Sequence, residues 1–281
     1  MGRGAAMTTV SDTGTHAAAP PSDPRLRTTV EPPVGWLVVD HPARRNAVSL
    51  SMWLALPPLV AALDADPAVR VIVLTGGGGE AFVSGADIAE FAEVRRDADS
   101  ARSYEDANEA AFAALRQAAK PTVAMIRGPC FGGGVGLAAA CDLRVAADDA
   151  VFSIPAARLG IAYPPPAIAD VVALVGAARA KDLFFTARRV EAAEALAIGL
   201  VDRVVPAADL EAETRALAAT MAANAPLTLA AAKAAIAAAV TGDPAAAERA
   251  RRAATACFAS QDFAEGREAF LAKRPPRFEG R

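Results

Sequence analysis

The chain has 281 residues, 53% hydrophobic, 22% charged and 5% aromatic, with a formal net charge of −3, the composition of a globular protein long enough to bury a full core. Its two histidines, His16 in the N-terminal stretch and His41 after a predicted strand, leave almost no material for a His-rich metal site or a Ser-His-Asp triad. Dispersed charge offers no basic stripe for nucleic acid, and no apolar run approaches the roughly eighteen residues that span a membrane.

Residues 1 to about 28 include Ala17-Ala18-Ala19-Pro20-Pro21-Ser22-Asp23-Pro24 and are predicted to be a disordered tail, because they cannot offset their ordering entropy by burial. A strand is expected over 35–40 and a helix over 49–63, with Ser49 as N-cap and Pro57-Pro58 kinking or breaking it. Residues 69–75 read as a second strand ended by Gly76-Gly77-Gly78-Gly79. A helix over 104–119, an extended segment over 121–127 and a short helix over 134–140 follow, then short strands over 143–146 and 151–154. Alternation of strand and helix predicts an α/β fold with parallel pairing. From Pro166 the pattern is almost wholly helical, with helices over 190–198, 209–223 opened by an Asp N-cap, and 227–240 opened by Asn224-Ala225-Pro226. The expected division is a tail (1–28), a mixed core (29–208) and a helical region (209–281).

Alanine makes up about a quarter of the chain, far above ordinary usage, which favours well-packed helices over core volume. Cys130, Cys141 and Cys257 are odd in number, widely spaced and without a CxxC, so they read as reduced thiols of a cytosolic protein.

Two glycine-rich turns could carry chemistry. Gly76-x-Gly78-x-x-Ala81 loosely matches a dinucleotide fingerprint, but Phe82-Val83-Ser84-Gly85 interrupts the helix that fingerprint needs. The second, Gly128-Pro129-Cys130-Phe131-Gly132-Gly133-Gly134-Val135-Gly136, lies between a strand and a run of helix formers. Glycines let backbone N–H groups approach a ligand, and a helix starting there turns its positive end to the same place, as in an oxyanion hole. Close packing of helix on strand is the alternative use of the same glycines.

Taken together, Asp40-His41-Pro42-Ala43-Arg44-Arg45-Asn46-Ala47, Phe82-Val83-Ser84-Gly85-Ala86-Asp87-Ile88, the turn from Gly128 to Gly136, Cys141-Asp142 and the stretch from Phe258 to Phe278 resemble, in order and spacing, the enoyl-CoA hydratase/isomerase (crotonase) family. The likeness covers roughly residues 30–281. It implies a spiral of ββα turns with a C-terminal helical trimerisation region, a homotrimer or dimer of trimers, and an acyl-CoA thioester substrate. Coenzyme A enters as part of that substrate, with no separate cofactor and no metal. By motif position, the thioester oxygen would be held by the backbone N–H groups of Ala86 and Gly133. Arg44 and Arg45 would lie near the nucleotide, and the backbone at Ala47 near adenine or pantetheine. Ser84, Asp87 and Ile88 fall on the coenzyme A side, Asp87 as a loop cap rather than a reacting group. Phe270 and Lys273 match C-terminal contacts that a neighbouring subunit often donates.

The resemblance departs where proton transfer is expected. The two glutamates of the family's hydratases would stand at Gly136 and Ala156, and the aspartate of related isomerases at Pro164 or Pro165. Tyr163, in Leu159-Gly160-Ile161-Ala162-Tyr163, is the polar survivor and partly resembles the methylmalonyl-CoA decarboxylase branch, where a tyrosine positions the substrate carboxylate. Three readings follow: an enoyl-CoA hydratase-type lyase without the usual acid/base pair, a malonyl-type decarboxylase using Tyr163, or a non-catalytic acyl-CoA-binding subunit.

Overall fold

The computed structural model describes residues 21–281; expectations that fall on residues 1–20, His16 among them, lie outside the described residues. A hairpin of β1 (Leu26–Glu31) and β2 (Val34–Val39) leads through α1 (Leu50–Ala65) to β3 (Val71–Gly76). The chain continues through α2 (Phe91–Val94), α3 (Ala98–Gln117), β4 (Thr122–Ile126), β5 (Pro129–Phe131), α4 (Gly133–Ala140), β6 (Leu143–Ala147) and β7 (Val151–Ser153). After α5 (Ala156–Leu159) and α6 (Pro165–Thr186) come β8 (Val190–Glu191), α7 (Ala192–Ala197) and β9 (Arg203–Val205). Four helices close the chain: α8 (Leu210–Ala222), α9 (Pro226–Thr241), α10 (Pro244–Phe258) and α11 (Gln261–Leu271).

One sheet has the order β1-β2-β3-β4-β6-β9, parallel throughout except for the β1–β2 hairpin, and a smaller sheet has the order β5-β7-β8. Parallel neighbours cannot be joined by tight turns, so α1 and α3 serve as crossovers. Strand alternation then divides the core. Ile72 and Leu74 join the large cluster under α1, α3, α4 and α6, while Val71 and Val73 join Val34, Trp36, Val123 and Val145 on the other face. Leu210, Leu217 and Ala218 of α8 cover that second face, so the first helix beyond residue 208 packs directly on the sheet.

Several elements differ from expectation for local reasons. The segment read as unstructured through residue 28 is already strand from Leu26; it is an edge strand buried only at Leu26, so its apolar signal is weak. The Pro57-Pro58 pair does not end α1. Those prolines remove the donors for two carbonyls one turn back, but burial of Met52, Trp53, Ala55, Leu56, Val60 and Leu63 holds the helix on both sides of them. α3 begins at Ala98, not residue 104, because Asp97 and Ser100 form a reciprocal cap. The expected helix over 190–198 opens as strand β8, and β9 joins the main sheet, so the second half is not wholly helical. Asp209 precedes α8 without a side-chain cap bond. Among the described residues no single helix is long and apolar enough to cross a membrane.

α1 and α3 meet at the floor of the site. Trp53 Nε1 donates to Tyr104 Oη at 2.9 Å, and the Trp53 and Phe112 rings pack edge to face at 5.6 Å. Burial pushes the Tyr104 hydroxyl up to about 12, which keeps it neutral. Tyr104→Phe leaves the buried indole N–H without its acceptor, and we expect a loss of about 1–3 kcal/mol in urea unfolding, whereas an unchanged midpoint would show that this bond contributes nothing.

Candidate active site

The site begins where two stretches of backbone meet. Phe131 N donates to Val83 O at 2.9 Å, Val48 N to Gly85 O at 2.8 Å and Asp87 N to Val48 O at 2.9 Å, so the loop 83–87 is pinned between the 46–48 and 130–132 segments. A Cβ at Gly134 would stand 2.2 Å from Val83 O, and one at Gly133 would stand 2.9 Å from Trp53 Cζ2. Only glycine permits this approach. Gly85 and Gly132 also hold φ of +107° and +48°, in the region that favours glycine. Among the described residues the N–H groups of Ala86 and Gly133 have no acceptor. A Cβ built on Gly133 would lie 3.9 Å from Ala86 N, and one on Gly85 lies 3.9 Å from Gly133 N. The two free donors are neighbours, and Gly133 is the first residue of α4, whose N-terminal positive end reinforces them.

Ala86 and Gly133 line a cavity of about 70 Å³ whose wall is completed by Ile88, Phe112, Ala156, Leu159 and Tyr163. Tyr163 Oη donates to Gly132 O at 3.0 Å, the carbonyl that also accepts from Gly136 N at 3.2 Å, and burial holds the hydroxyl well above its ordinary pKa. The single phenolic proton is thereby spent on the turn that starts α4. Position 136 is closed as well: a Cβ there would lie 2.6 Å from Phe112 Cζ and 2.8 Å from Tyr163 Oη. Gly136 and the two aromatic side chains occupy one volume between them. Ala156 lies on the cavity wall without a polar atom in its side chain.

The polar side of the cavity comes from α3 and the residue after α2, and sequence reading did not single it out. Arg95 pairs with Glu105 at 2.7 Å. The guanidinium also stacks on Phe91 and Tyr104, 4.6 and 4.3 Å from the ring centroids. Burial raises the Glu105 carboxyl above its ordinary value, with Arg95 opposing that shift. Asn108 is buried beside them, and neither its Oδ1 nor Arg95 Nε has a hydrogen-bond partner. The available signal was a polar residue on an apolar stripe: Asn108 stands among Tyr104, Ala111, Phe112 and Leu115 at helical spacing.

The expected coenzyme A residues fall into two groups. Asn46 is fully buried and clasps the loops: it accepts from His41 N and donates to Gly77 O and Ala81 O. This holds the exposed Arg44 and Arg45 beside the cavity loop, where Ser84 Oγ donates to Arg44 O and Ser84 N to Arg45 O. Arg44 also lies 3.9 Å from Asp87, which accepts from Ala89 N as a cap. Ser84 and Ile88 line the cavity; Ala47 is buried, its carbonyl 3.0 Å from His41 Nδ1. Phe270 and Lys273 stand apart, exposed on and just beyond α11 and outside the cavity wall, with Phe270 83% exposed.

A parallel sheet backed by helices, with two free N–H groups at a glycine-lined turn above a small cavity, defines an α/β fold with a pair of backbone donors able to receive an anionic oxygen. The sequence profile described as Enoyl-CoA hydratase/isomerase matches residues 32–281, and the chain belongs to that family. It is 35% identical over 246 residues to a crotonyl-CoA hydratase of Syntrophomonas wolfei, covering 86% of this chain and 93% of the relative. It is 32% identical over 276 residues to a peroxisomal Delta(3,5)-Delta(2,4)-dienoyl-CoA isomerase of Arabidopsis thaliana, covering 90% and 95%. Among solved structures, an enoyl-CoA hydratase/isomerase family protein from Hyphomonas neptunium superposes with a TM-score of 0.87 at 38% identity, over 92% of this chain and 98% of that one. The fold is the crotonase fold with its C-terminal helices.

The closure of position 136 is open to measurement. Gly136→Ala forces a methyl into the Phe112 and Tyr163 side chains, and we expect a loss of about 1–3 kcal/mol from overpacking, read by chemical denaturation. An equally stable alanine variant would show that the two rings yield without strain.

Proposed function

We propose that this protein acts on acyl-CoA thioesters as a hydratase-type lyase, with the thioester oxygen received by the N–H groups of Ala86 and Gly133. The observation that carries the reading is the pair of free, adjacent backbone donors at the wall of a small, largely apolar cavity. As a thioester becomes enolate-like, negative charge gathers on that oxygen. Donors already fixed there stabilise the transition state by a few kcal/mol (roughly 3) with no reorganisation. Backbone donors ask nothing of the side chain, so alanine and glycine suffice. The cavity favours a short acyl group. Exposed Arg44 and Arg45 suit the phosphates of coenzyme A, contributing steering more than tight binding because salt screens them. In this reading Gly136 and Ala156 stand where related hydratases carry glutamates, so the proton must travel by another group.

The C-terminal helices support assembly into a trimer or a dimer of trimers. Ile236, Val240, Phe258, Phe263, Phe270 and Leu271 are large apolar side chains left exposed on α9, α10 and α11, a patch of the kind that marks an interface. Phe270 and Lys273 would then reach a neighbour's site. Light scattering is expected to return a multiple of three chain masses; a monomer at micromolar concentration would overturn the assembly.

Crotonyl-CoA is the probe for the activity. We expect binding in calorimetry and loss of the enoyl absorbance as water adds, with mass spectrometry of the product. Ala86→Pro, which deletes one donor, should lower kcat/KM about a hundredfold or more. Absence of acyl-CoA binding would defeat the reading.

A further inference from the structure

Hydration of an enoyl thioester needs a group that takes a proton from water and returns one to carbon. Among the described residues lining the cavity the only titratable side chains are Arg95, Glu105 and Tyr163, and Glu105 is the only carboxylate. The Tyr163 proton is engaged by Gly132 O. The Arg95 guanidinium is clamped against Phe91 and Tyr104, and a guanidinium is no general acid or base in a protein. Ser84 uses its hydroxyl proton on Arg44 O.

From this arrangement we infer that Glu105, held by Arg95, is the acid/base residue of the site, moving the proton that Gly136 and Ala156 cannot. The inference rests on the acyl-CoA reading above and names its missing group. The step balances without any further reactant. Water oxygen bonds to C3 of the enoyl group, and the C2–C3 π pair moves to give an enolate whose oxygen faces Ala86 and Gly133. The proton released by the attacking water passes to the Glu105 carboxylate. The resulting carboxylic acid protonates C2 as the enolate collapses, so the product gains H and OH and Glu105 returns ionised.

The surroundings suit that task. Glu105 is half-buried in the wall of the cavity and anchored by a 2.7 Å ion pair whose arginine is itself fixed by two aromatic rings. Arg95 is thus a positioning residue. The charged or titratable groups that act on Glu105 are Arg95 from beyond α2 and Asp106 on its own helix, and the carboxylate in turn acts on Tyr163 and on Tyr104. Burial lifts its proton affinity toward the working range of a base while Arg95 keeps the ionised form accessible. Arg95 Nε and Asn108 Oδ1 are buried in the same wall without partners, and a buried polar atom left unpaired calls for a role or a ligand.

The test has two readouts. Exchange of the α-hydrogens of butyryl-CoA in deuterated water reports the base without requiring the natural acyl group, and crotonyl-CoA hydration reports the full reaction. Glu105→Gln keeps shape, so the variant should still fold and bind butyryl-CoA in calorimetry with wild-type affinity, at a melting temperature lowered by loss of the Arg95 pair, while both rates fall about a hundredfold or more. The wild-type rate should fall as pH drops through a midpoint above that of an ordinary carboxylate, because the base must start ionised. Arg95→Gln should move that midpoint upward, which a merely structural arginine would not do. Exchange in Glu105→Gln within a few-fold of wild type overturns the assignment, as does wild-type protein that binds butyryl-CoA yet exchanges nothing. Wild-type protein that binds no acyl-CoA instead overturns the acyl-CoA reading itself.

Discussion

The backbone of residues 83–86 and that of residues 132–134 come closer than any side chain at Gly134 permits, with a virtual Cβ only 2.2 Å from Val83 O. Much of the site follows from this approach. It brings Ala86 N and Gly133 N together, sets the start of α4, and lets Gly132 O collect donors from Val135, Gly136 and Tyr163. The approach is itself held from outside by Asn46, whose buried amide ties the 41–46 loop to the 77–81 loop. A buried amide with all these partners satisfied stabilises one loop arrangement over others, because any displacement leaves polar atoms unpaired in a dry interior.

The same packing explains why the cavity is poor in acids on one wall and polar on another. Phe112 and Tyr163 fill the space above Gly136, so a carboxylate-bearing side chain there would have to displace both rings. α3 supplies Phe112 to that wall, Asn108 one turn earlier and Glu105 about two turns earlier. Trp53 links the two, touching the Gly133 position on one side and hydrogen bonding Tyr104 on the other. The helix that closes position 136 is therefore also the helix that carries the one carboxylate among the described residues of the cavity wall.

Much of this fold was legible in the sequence. The apolar run at 69–75 and the Ser49 cap placed β3 and α1 to within two residues at each end, since β-branched runs and N-cap side chains act locally. β1 was not legible, because an edge strand with five exposed residues carries no burial pattern. The continuity of α1 through Pro57 and Pro58 depends on tertiary burial, which no local signal reports. At the site, the glycine turns were readable because glycine marks backbone geometry directly, and Ala86 and Gly133 do lie side by side. Arg95 and Glu105 were not, for an ion pair across a turn and a helix looks like two solvated charges until burial is known. Tyr163 was legible as a polar survivor, but not its commitment to Gly132.

Division of labour follows from where each group is anchored. The two free N–H groups of Ala86 and Gly133 belong to backbone locked by glycine contacts and sheet-like bridges, so substitution of side chains can hardly remove them. The polar cluster belongs to side chains on α3 and the preceding turn, where a single codon changes the chemistry. A fixed oxyanion site contributes roughly 3 kcal/mol to any reaction that passes through a thioester enolate, whatever proton donor or acceptor stands nearby. Such a fold can lose its usual acids without losing that contribution, and a carboxylate arriving on a neighbouring helix then needs only to reach the reacting carbons. Here the ion pair with a ring-clamped arginine holds the Glu105 carboxylate in place, the rigidity its proposed role requires, because a carboxylate free to rotate would spend most of its time out of reach.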